Sequence, residues 1–201
     1  RLNSPVFTPA APLKKILIVS PHWPPINAPD MQRVRMSLAH YRSQGWEAVV
    51  LVVDDPWQNG VREPELLGTL PPDVRIVRTP AMPVRVARRF GLGNLGWRAW
   101  PFFLWHGIKL LATEKFDLVF FSNTQFLTFT LGPLWRAWFG VPYVLDLQDP
   151  WRTDYYERPG SRPPPGGWKY QFARTVAWAL EGWSFKAASS AISVSPHYLS
   201  D

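Results

Sequence analysis

Short apolar runs alternate with segments of helical periodicity along most of this 201-residue chain. Four to eight apolar residues in a row, bounded by turn residues, are typical of a buried strand, and apolar positions three or four apart predict one face of a helix. Strands are predicted at 15–20, 47–53, 74–77, 116–121, 142–147 and 190–194, and helices at 31–41, 124–139 and 168–183. This alternation predicts one α/β domain with a mainly parallel sheet of about six or seven strands and helices on both faces.

Two segments fall outside this pattern. Residues 1–13 are rich in proline and small residues and predict a loose N-terminal arm. Residues 157–167 consist mostly of proline, glycine and charged residues, which cannot pack a core and predict a mobile excursion. The domain itself is expected to occupy residues 14–201.

Composition excludes several kinds of site. The chain has no cysteine, which rules out disulfides and thiolate chemistry and is compatible with a reducing compartment. Its four histidines lack the spacing of metal ligands, so no metal is expected. No apolar run reaches the length of about 20 residues that a membrane-spanning helix needs. The net charge of +7 favours anionic partners, and twelve tryptophans are more than a core of this size requires.

The most informative stretch is the predicted strand at 142–147 and the turn that follows it. Asp146 lies within the apolar run, and Asp149 follows two residues after its end, directly before Pro150. In α/β sheets, active and binding sites lie beyond the carboxyl ends of the strands. Asp149 is therefore predicted to be a catalytic or ligand-binding carboxylate. The alternative is that Asp149 caps the following turn, since Asp-Pro commonly opens turns.

The loop at 21–30 follows the first predicted strand and leads into a helix. The amide groups at the start of that helix could face a phosphate, with Arg33 on an early turn. The loop contains neither the glycine pattern of dinucleotide-binding proteins nor a P-loop. An ordinary strand-to-helix connection is the alternative interpretation.

Several short motifs appear in a fixed order from about residue 14 to the end. They are Ile16-Leu17-Ile18-Val19-Ser20, Trp23-Pro24-Pro25-Ile26, Gln32-Arg33-Val34, Gln44-Gly45-Trp46-Glu47, Phe116-Asp117-Leu118-Val119-Phe120-Phe121-Ser122, Asp146 with Asp149-Pro150-Trp151, and Ala191-Ile192-Ser193-Val194-Ser195-Pro196. In this order and spacing the chain resembles the amino-terminal half of family-4 glycosyltransferases.

That resemblance implies a Rossmann-like domain that forms the acceptor-binding half of a GT-B fold. The family moves a sugar from a nucleotide-sugar to an acceptor with retention of configuration, and it needs no metal or other cofactor. Its second domain holds most of the donor, so this chain alone is expected to be inactive. The resemblance also implies a glycan or lipid-linked acceptor. It implies a cytoplasmic location, with peripheral binding to the inner face of the plasma membrane as a further expectation.

The chain departs from the family at two places. Where the family usually has adjacent glycines, it has Asn27-Ala28-Pro29-Asp30, which puts phosphate contact in doubt because proline offers no amide hydrogen. Gln148 stands where many relatives have His or Arg, and it cannot donate a proton at neutral pH. Asp149 is therefore expected to polarise the acceptor hydroxyl, with Asp146 in support. The residues expected to bind the acceptor or form the donor loop are Asn27, Ala28, Asp30, Arg33, Ser122, Asn123, Gln148 and Ser195.

Residues 84–111 combine a basic cluster with many aromatic residues. A membrane-surface anchor needs cations for anionic headgroups and indole rings for the boundary between lipid and water. The residues expected to contact a membrane are Arg85, Arg88, Arg89, Trp97, Trp100 and Trp105. A core helix beside a solvated arginine loop is the alternative.

Two further functional classes fit the sequence less well. A non-catalytic nucleotide-binding module would be expected to carry the dinucleotide fingerprint, which is absent. A basic nucleic-acid-binding domain would need its arginines in one continuous stripe, whereas they are dispersed. Nucleic acid is therefore not an expected partner.

Overall fold

The computed structural model describes residues 12–89, 92–151 and 168–195; the side chains of residues 168–170, 172 and 173 are not described. All of the expected N-terminal arm except residues 12 and 13 lies outside these ranges, and so does the whole expected excursion at 157–167.

Six parallel strands form the central sheet of the described chain. They are β1 (Lys14–Val19), β3 (Trp46–Val53), β5 (Arg75–Thr79), β6 (Leu118–Asn123), β7 (Tyr143–Leu147) and β8 (Ser190–Ser193), and their order across the sheet is β5-β3-β1-β6-β7-β8. The chain winds outward from β1 in one direction and then returns to β6 on its other side, as in doubly wound Rossmann folds. The expected Rossmann-like α/β class is confirmed. A two-stranded antiparallel ribbon, β2 (Ile26–Asn27) with β4 (Val61–Arg62), was not expected.

Five α-helices accompany the sheet in the described residues. They are α1 (Pro29–Tyr41), α2 (Val84–Arg89), α3 (Leu95–Thr113), α4 (Leu131–Phe139) and α5 (Trp168–Lys186). The predicted helix at 124–139 is instead a 3₁₀ turn, Phe126–Thr130, followed by α4. The side-chain oxygen of Asn123 explains the difference, because it accepts hydrogen bonds from the amide of Gln125 and the hydroxyl of Thr128. Such local bonds compete with a helix.

The strand predicted at 116–121 begins two residues later, at Leu118. The carboxylate of Asp117 accepts a hydrogen bond from the amide of Lys15 at 2.7 Å, and the amide of Asp117 donates to the carbonyl of Lys15. The carboxylate of Asp117 therefore takes the amide hydrogen of Lys15, and β6 begins only at Leu118.

Both faces of the sheet are buried, which is the usual state of a parallel sheet and explains the continuous apolar runs. Leu17 and Val19 of β1 face a core shared with α3 and α4, whereas Ile16 and Ile18 face a second core shared with α1. Helices α3 and α4 approach closely because Gly107 has no side chain. A Cβ atom there would lie 2.0 Å from Cζ2 of Trp135.

None of the helices in the described parts of the chain is long and apolar enough to cross a membrane.

Candidate functional site

The loops after β1, β6 and β7 leave the sheet at the same edge, because parallel strands all end on one side. The strand order reverses between β1 and β6, and in open α/β sheets a ligand crevice forms outside the carboxyl ends at this position. Asp149 follows β7, the next strand, and lies on the same edge as loop 21–30, as the sequence predicted.

Asp30 joins the loops after β1 and β6. Its carboxylate is buried, and each of its oxygens lies 3.0 Å from Nδ1 of His22. Thr124 donates to the same carboxylate from its hydroxyl at 3.1 Å and from its amide at 3.4 Å. Burial acts to raise the pKa of Asp30, but the hydrogen bond and charge of His22 and the bonds from Thr124 outweigh it and hold the pKa below its ordinary value. Asp30 thus faces inward, toward His22 and Thr124.

Asp146 is the second buried carboxylate of this edge, with a fully buried side chain. Nη1 of Arg33 lies 2.6 Å from one of its oxygens, and the hydroxyl of Ser122 donates to the other at 2.7 Å. Burial raises the pKa of Asp146 although Ser122 and Arg33 act to lower it. The carboxylate is inaccessible in the described chain and holds Arg33 and Ser122 in place. Its catalytic and supporting roles stay predictions.

Gln148 connects the two carboxylate clusters. Its side-chain nitrogen donates to the backbone carbonyl of Asp30 at 2.8 Å and to the hydroxyl of Ser122 at 3.1 Å. The turn after β7 is thereby fixed to the start of α1. The next residue, Asp149, is exposed and makes no hydrogen bond or ion pair with any described residue. Its carboxylate is therefore free to meet a ligand.

Some expected site residues have structural roles instead. Asn123 is fully buried, and its amide nitrogen donates to the carbonyl of Val19, so it joins β6 to β1 and does not line the crevice as expected. Ala28 is buried in the core against α1. The side chain of Asn27 is exposed but held between Glu63 and Gln32.

Ser195 lies beyond the end of β8, two strand positions from β6. Its backbone carbonyl and amide are both bonded to the hydroxyl of Ser193. The structure thus leaves Ser195 at the far side of the crevice from His22 and Asp30.

The expected membrane-contact residues divide into two groups. Arg85, Arg88 and Arg89 on α2 are exposed, and so are Trp97 and Trp105 on α3. Trp100 is different, because it packs against the core and its indole nitrogen donates to the hydroxyl of Thr130 at 2.8 Å. It is therefore left out of any membrane-contact surface.

His22 and Thr124 were missed in the sequence. In the sequence, the histidines were considered only as metal ligands. The described residues contain no group of three or more His, Asp or Glu side chains suited to a metal ion. The sequence feature that could have predicted this pair is His22, just after a buried strand, with Asp30 eight residues later at the start of a helix. That spacing brings the two side chains together across one loop.

A model of the glycosyl transferase 4-like domain matches residues 31–201. The chain belongs to the glycosyl transferase 4-like family. The match begins after loop 21–30 and includes Asp149 as well as Arg33, Ser122, Asp146 and Gln148, whose side chains are hydrogen-bonded to one another at the carboxyl edge. None of the curated proteins compared matches this family member.

Solved structures share the fold of this glycosyl transferase 4-like chain at low sequence identity. Apo UGT2 of Phytolacca americana is 11% identical with a TM-score of 0.58, over 90% of this chain and 45% of its own. A UGT transferase from Siraitia grosvenorii in complex with UDP is 14% identical with a TM-score of 0.53, over 89% and 44%. The chain thus spans less than half the length of these structures.

Proposed function

We propose that this chain is the acceptor-binding half of a glycosyltransferase that moves a hexose from a nucleotide-sugar to an acceptor with retention of configuration. The observation that carries the proposal is the exposed carboxylate of Asp149 at the carboxyl edge. Gln148 fixes its turn to Asp30, so Asp149 has a defined position beside the switch point of the sheet. Membership of the glycosyl transferase 4-like family supports the reaction class.

Asp149 binds the acceptor in this proposal. Sugars offer hydroxyl groups, and an ionised carboxylate accepts hydrogen bonds from them without donating any. Arg33 contributes positive charge nearby, since its side chain is 40% exposed although Nη1 is bonded to Asp146. The buried bonds of Asp146 and Ser122 hold that guanidinium in one orientation.

Most of the donor is bound by a second domain in this proposal, because the chain aligns with less than half of each similar structure. One of these is a complex with UDP, which supports a nucleoside diphosphate-sugar as the donor. The reaction proceeds without a metal, and chelation by EDTA leaves it unchanged.

The function is tested by comparing the chain alone with the same chain joined to its donor-binding domain. Both are incubated with UDP- and GDP-hexoses and a total extract of lipids and glycans as the acceptor source. The joined protein transfers sugar, and the anomeric configuration of the product, read by NMR, equals that of the donor. The chain alone releases no nucleoside diphosphate above a heat-killed control. Transfer by the chain alone, or none by the joined protein, contradicts the proposal.

We also propose that α2 and α3 dock peripherally on an anionic membrane at the cytoplasmic side, bringing the site to a lipid-linked acceptor. The docking surface consists of Arg85, Arg88, Arg89, Trp97 and Trp105. The three arginines make no ion pair with a carboxylate of the described residues, and Trp97 and Trp105 are 42% and 57% exposed. Free cations beside exposed indole rings match the charge and polarity of a headgroup layer.

Exposed neighbours extend this docking surface. Val86 is exposed among the arginines, and Nζ of Lys109 lies 4.9 Å from the centre of the Trp105 ring. Trp138 is exposed on the adjacent helix α4. Exposed apolar side chains and cations thus occur on α2, α3 and α4.

A further inference from the structure

Arg98, in the first turns of α3, is a buried cation that has only carbonyl groups as partners in the described chain. The residue is 3% exposed. Its Nε donates to the carbonyl of Met82 at 2.7 Å, and its Nη2 donates to the carbonyl of Trp57 at 2.7 Å. Arg98 makes no ion pair with a carboxylate of the described residues. A charge buried in this way usually has an opposite charge beside it, because the loss of its hydration is costly.

The two carboxylates that directly follow β3 are engaged with other arginines. Asp54 lies 3.5 Å from Nη1 of Arg78, and Asp55 accepts a hydrogen bond from Nη1 of Arg62 at 3.3 Å. The carbonyl groups bonded to Arg98 carry only partial charges. The full positive charge of Arg98 therefore has no counter-charge among the described residues.

One nitrogen of the Arg98 guanidinium is unused. Nη1 makes no hydrogen bond with any described residue. The side-chain nitrogens that are sealed inside the described chain without a partner are the indole nitrogens of Trp23 and Trp135, and Nη1 of Arg98 is not among them. Nη1 thus retains access to the surface, where it can donate hydrogen bonds to an anion.

Arg88 of α2 places a second cation near the first. Its side chain lies across Gly93, where a Cβ atom would be 3.3 Å from Cγ of Arg88. Burial, and after it the charge of Arg88, hold the pKa of the Arg98 guanidinium below its ordinary value. An arginine still stays protonated at neutral pH, so the two like charges repel each other. An anion beside both would remove this repulsion and would give Arg98 its missing counter-charge.

The start of α3 adds to the positive potential at this place. Gly93 directly precedes Asn94, whose side chain caps the 19-residue helix by accepting a hydrogen bond from the amide of Gly96. The amino end of a helix carries a partial positive charge that favours anions. Arg88, Arg98 and the start of α3 therefore all attract a negative group to one place.

This place is separate from Asp149. Trp57 and Met82, which hold Arg98, follow β3 and β5, whereas Asp149 follows β7. Strands β3 and β7 are three positions apart in the sheet, which corresponds to about 14 Å. A ligand held by Arg98 therefore leaves the carboxylate of Asp149 unoccupied.

We propose that α2 and the start of α3 form a phosphate-binding site, in which Nη1 of Arg98 and the guanidinium of Arg88 bind one phosphate group. A phosphate monoester carries about 1.5 to 2 negative charges at pH 7, which matches two cations, and its oxygens suit guanidinium donors. Because Arg88 also belongs to the docking surface, the ligand is the phosphate of a lipid. This choice of ligand rests on the membrane docking proposed above. The phosphate belongs either to a lipid-linked acceptor or to a membrane headgroup.

The test uses the full chain labelled with nitrogen-15 arginine and four soluble probes. They are inorganic phosphate, geranyl phosphate, dihexanoyl phosphatidylglycerol below its micelle concentration, and hexanoate. The guanidinium signals of Arg98 should shift with the three phosphate probes and not with hexanoate, and those of the exposed Arg42 should stay unchanged. Tighter binding of geranyl phosphate assigns the site to a lipid-linked acceptor, and tighter binding of phosphatidylglycerol assigns it to a headgroup.

Variants measured by calorimetry with geranyl phosphate test the two arginines. Arg88→Gln alters an exposed side chain and should weaken binding about tenfold or more. Arg42→Gln, the matched control, removes the same charge elsewhere and should stay within about twofold of wild type. Arg98→Lys keeps the charge but cannot donate to both carbonyls and to phosphate at once, so it should also weaken binding about tenfold or more. If Arg98→Lys does not fold, the wild-type shifts and Arg88→Gln decide.

Three results would overturn the phosphate site. They are unchanged Arg98 signals with every phosphate probe, equal shifts with hexanoate, and equal losses of binding in Arg88→Gln and Arg42→Gln. None of these depends on vesicle binding, which co-sedimentation measures separately. Phosphate binding by a chain that does not bind vesicles would contradict the membrane docking and leave the phosphate site in place.

Discussion

Arg33 of α1 and Asp146 of β7 form an ion pair across the sheet, with Nη1 of Arg33 2.6 Å from Oδ1 of Asp146. The pair sets the start of α1 against a strand more than a hundred residues later in the chain. It also leaves a fully buried carboxylate dependent on one cation and one hydroxyl. The geometry of the carboxyl edge thus rests on contacts distant in sequence.

Loss of the cation should therefore be costly. Arg33→Met leaves the buried Asp146 without its ion partner, and we expect a loss of about 2–3 kcal/mol in the free energy of unfolding, reduced from the fully buried case because Arg33 is partly exposed. Adding Asp146→Asn should restore part of the loss, since no buried charge remains. Urea denaturation measures both.

The control is Arg42→Met. Arg42 lies 3.8 Å from Asp73 in an exposed pair, and its removal should cost less than about 1 kcal/mol. Equal losses for Arg33→Met and Arg42→Met would show that the Asp146 pair does not stabilise the fold.

The ionisation of Asp30 should make the free energy of unfolding depend on pH. Its pKa is lowered in the folded state, so its ionised form stabilises the fold above the unfolded value of about 3.9, and this contribution is lost as the pH falls through the folded pKa. At pH 7, Asp30→Asn should be less stable than wild type by about 1–3 kcal/mol. This difference should shrink as the pH is lowered below the unfolded value of about 3.9.

Denaturation curves across that range test the prediction. Asp73→Asn alters an exposed aspartate at the opposite edge and should stay close to wild type throughout. A difference between Asp30→Asn and wild type that stays constant with pH would mean that the ionisation of Asp30 is not coupled to folding.

The contact between α3 and α4 should tolerate no side chain at residue 107. In Gly107→Ala, the new Cβ would overlap the fully buried ring of Trp135, and we expect a loss of about 1–3 kcal/mol. Gly182→Ala is the matched control within helix α5, where a Cβ meets no atom within 4 Å. It should be neutral or gain up to about 1 kcal/mol from helix propensity. Thermal unfolding that ranks the two variants the other way would contradict this packing.

Membrane docking should depend on the arginines of the docking surface. In co-sedimentation, the chain should bind vesicles containing phosphatidylglycerol, and the binding should fall with added salt. Replacing Arg85, Arg88 and Arg89 by glutamine should weaken it about 100-fold, at about 1 kcal/mol per charge. Trp97→Ala and Trp105→Ala should weaken it further through loss of apolar contact.

The matched control replaces Arg42, Arg62 and Arg75 by glutamine, which removes the same charge from exposed positions elsewhere. It should bind nearly as well as wild type. If both triple variants lost the same amount of vesicle binding, the effect would depend on net charge and not on the docking surface. Equal binding to phosphatidylcholine vesicles would indicate a purely apolar contact.

The strands and the carboxyl edge that carries the site could be predicted from the sequence, because both are marked by residues close together in the chain. A parallel strand buried on both faces appears as an apolar run, and the carboxyl end of β7 is marked by the proline after Asp149. The two-residue offset at β6 could not be predicted, because it depends on the bond between Asp117 and Lys15, a residue of another strand.

The contacts within the site were not predictable in the same way. Asp30 was expected from its own loop to bind the acceptor or form the donor loop, whereas the fold turns it toward His22 and Thr124. Thr124 is on a different strand end, and Gln148 reaches Asp30 from a third. Pairings of this kind depend on strand order, and the sequence does not specify which strand end lies beside which.

The exposed carboxylate of Asp149 is the most direct point at which to test the proposed function. The measurement is the rate of acceptor-dependent nucleoside diphosphate release by the chain joined to its donor-binding domain. Asp149→Asn should lower the rate at limiting acceptor about 100-fold without lowering the melting temperature, because Asp149 makes no stabilising contact with the described residues. Asp73→Asn should leave the rate unchanged. An Asp149→Asn rate equal to wild type would remove Asp149 from the site and contradict the proposed acceptor-binding edge.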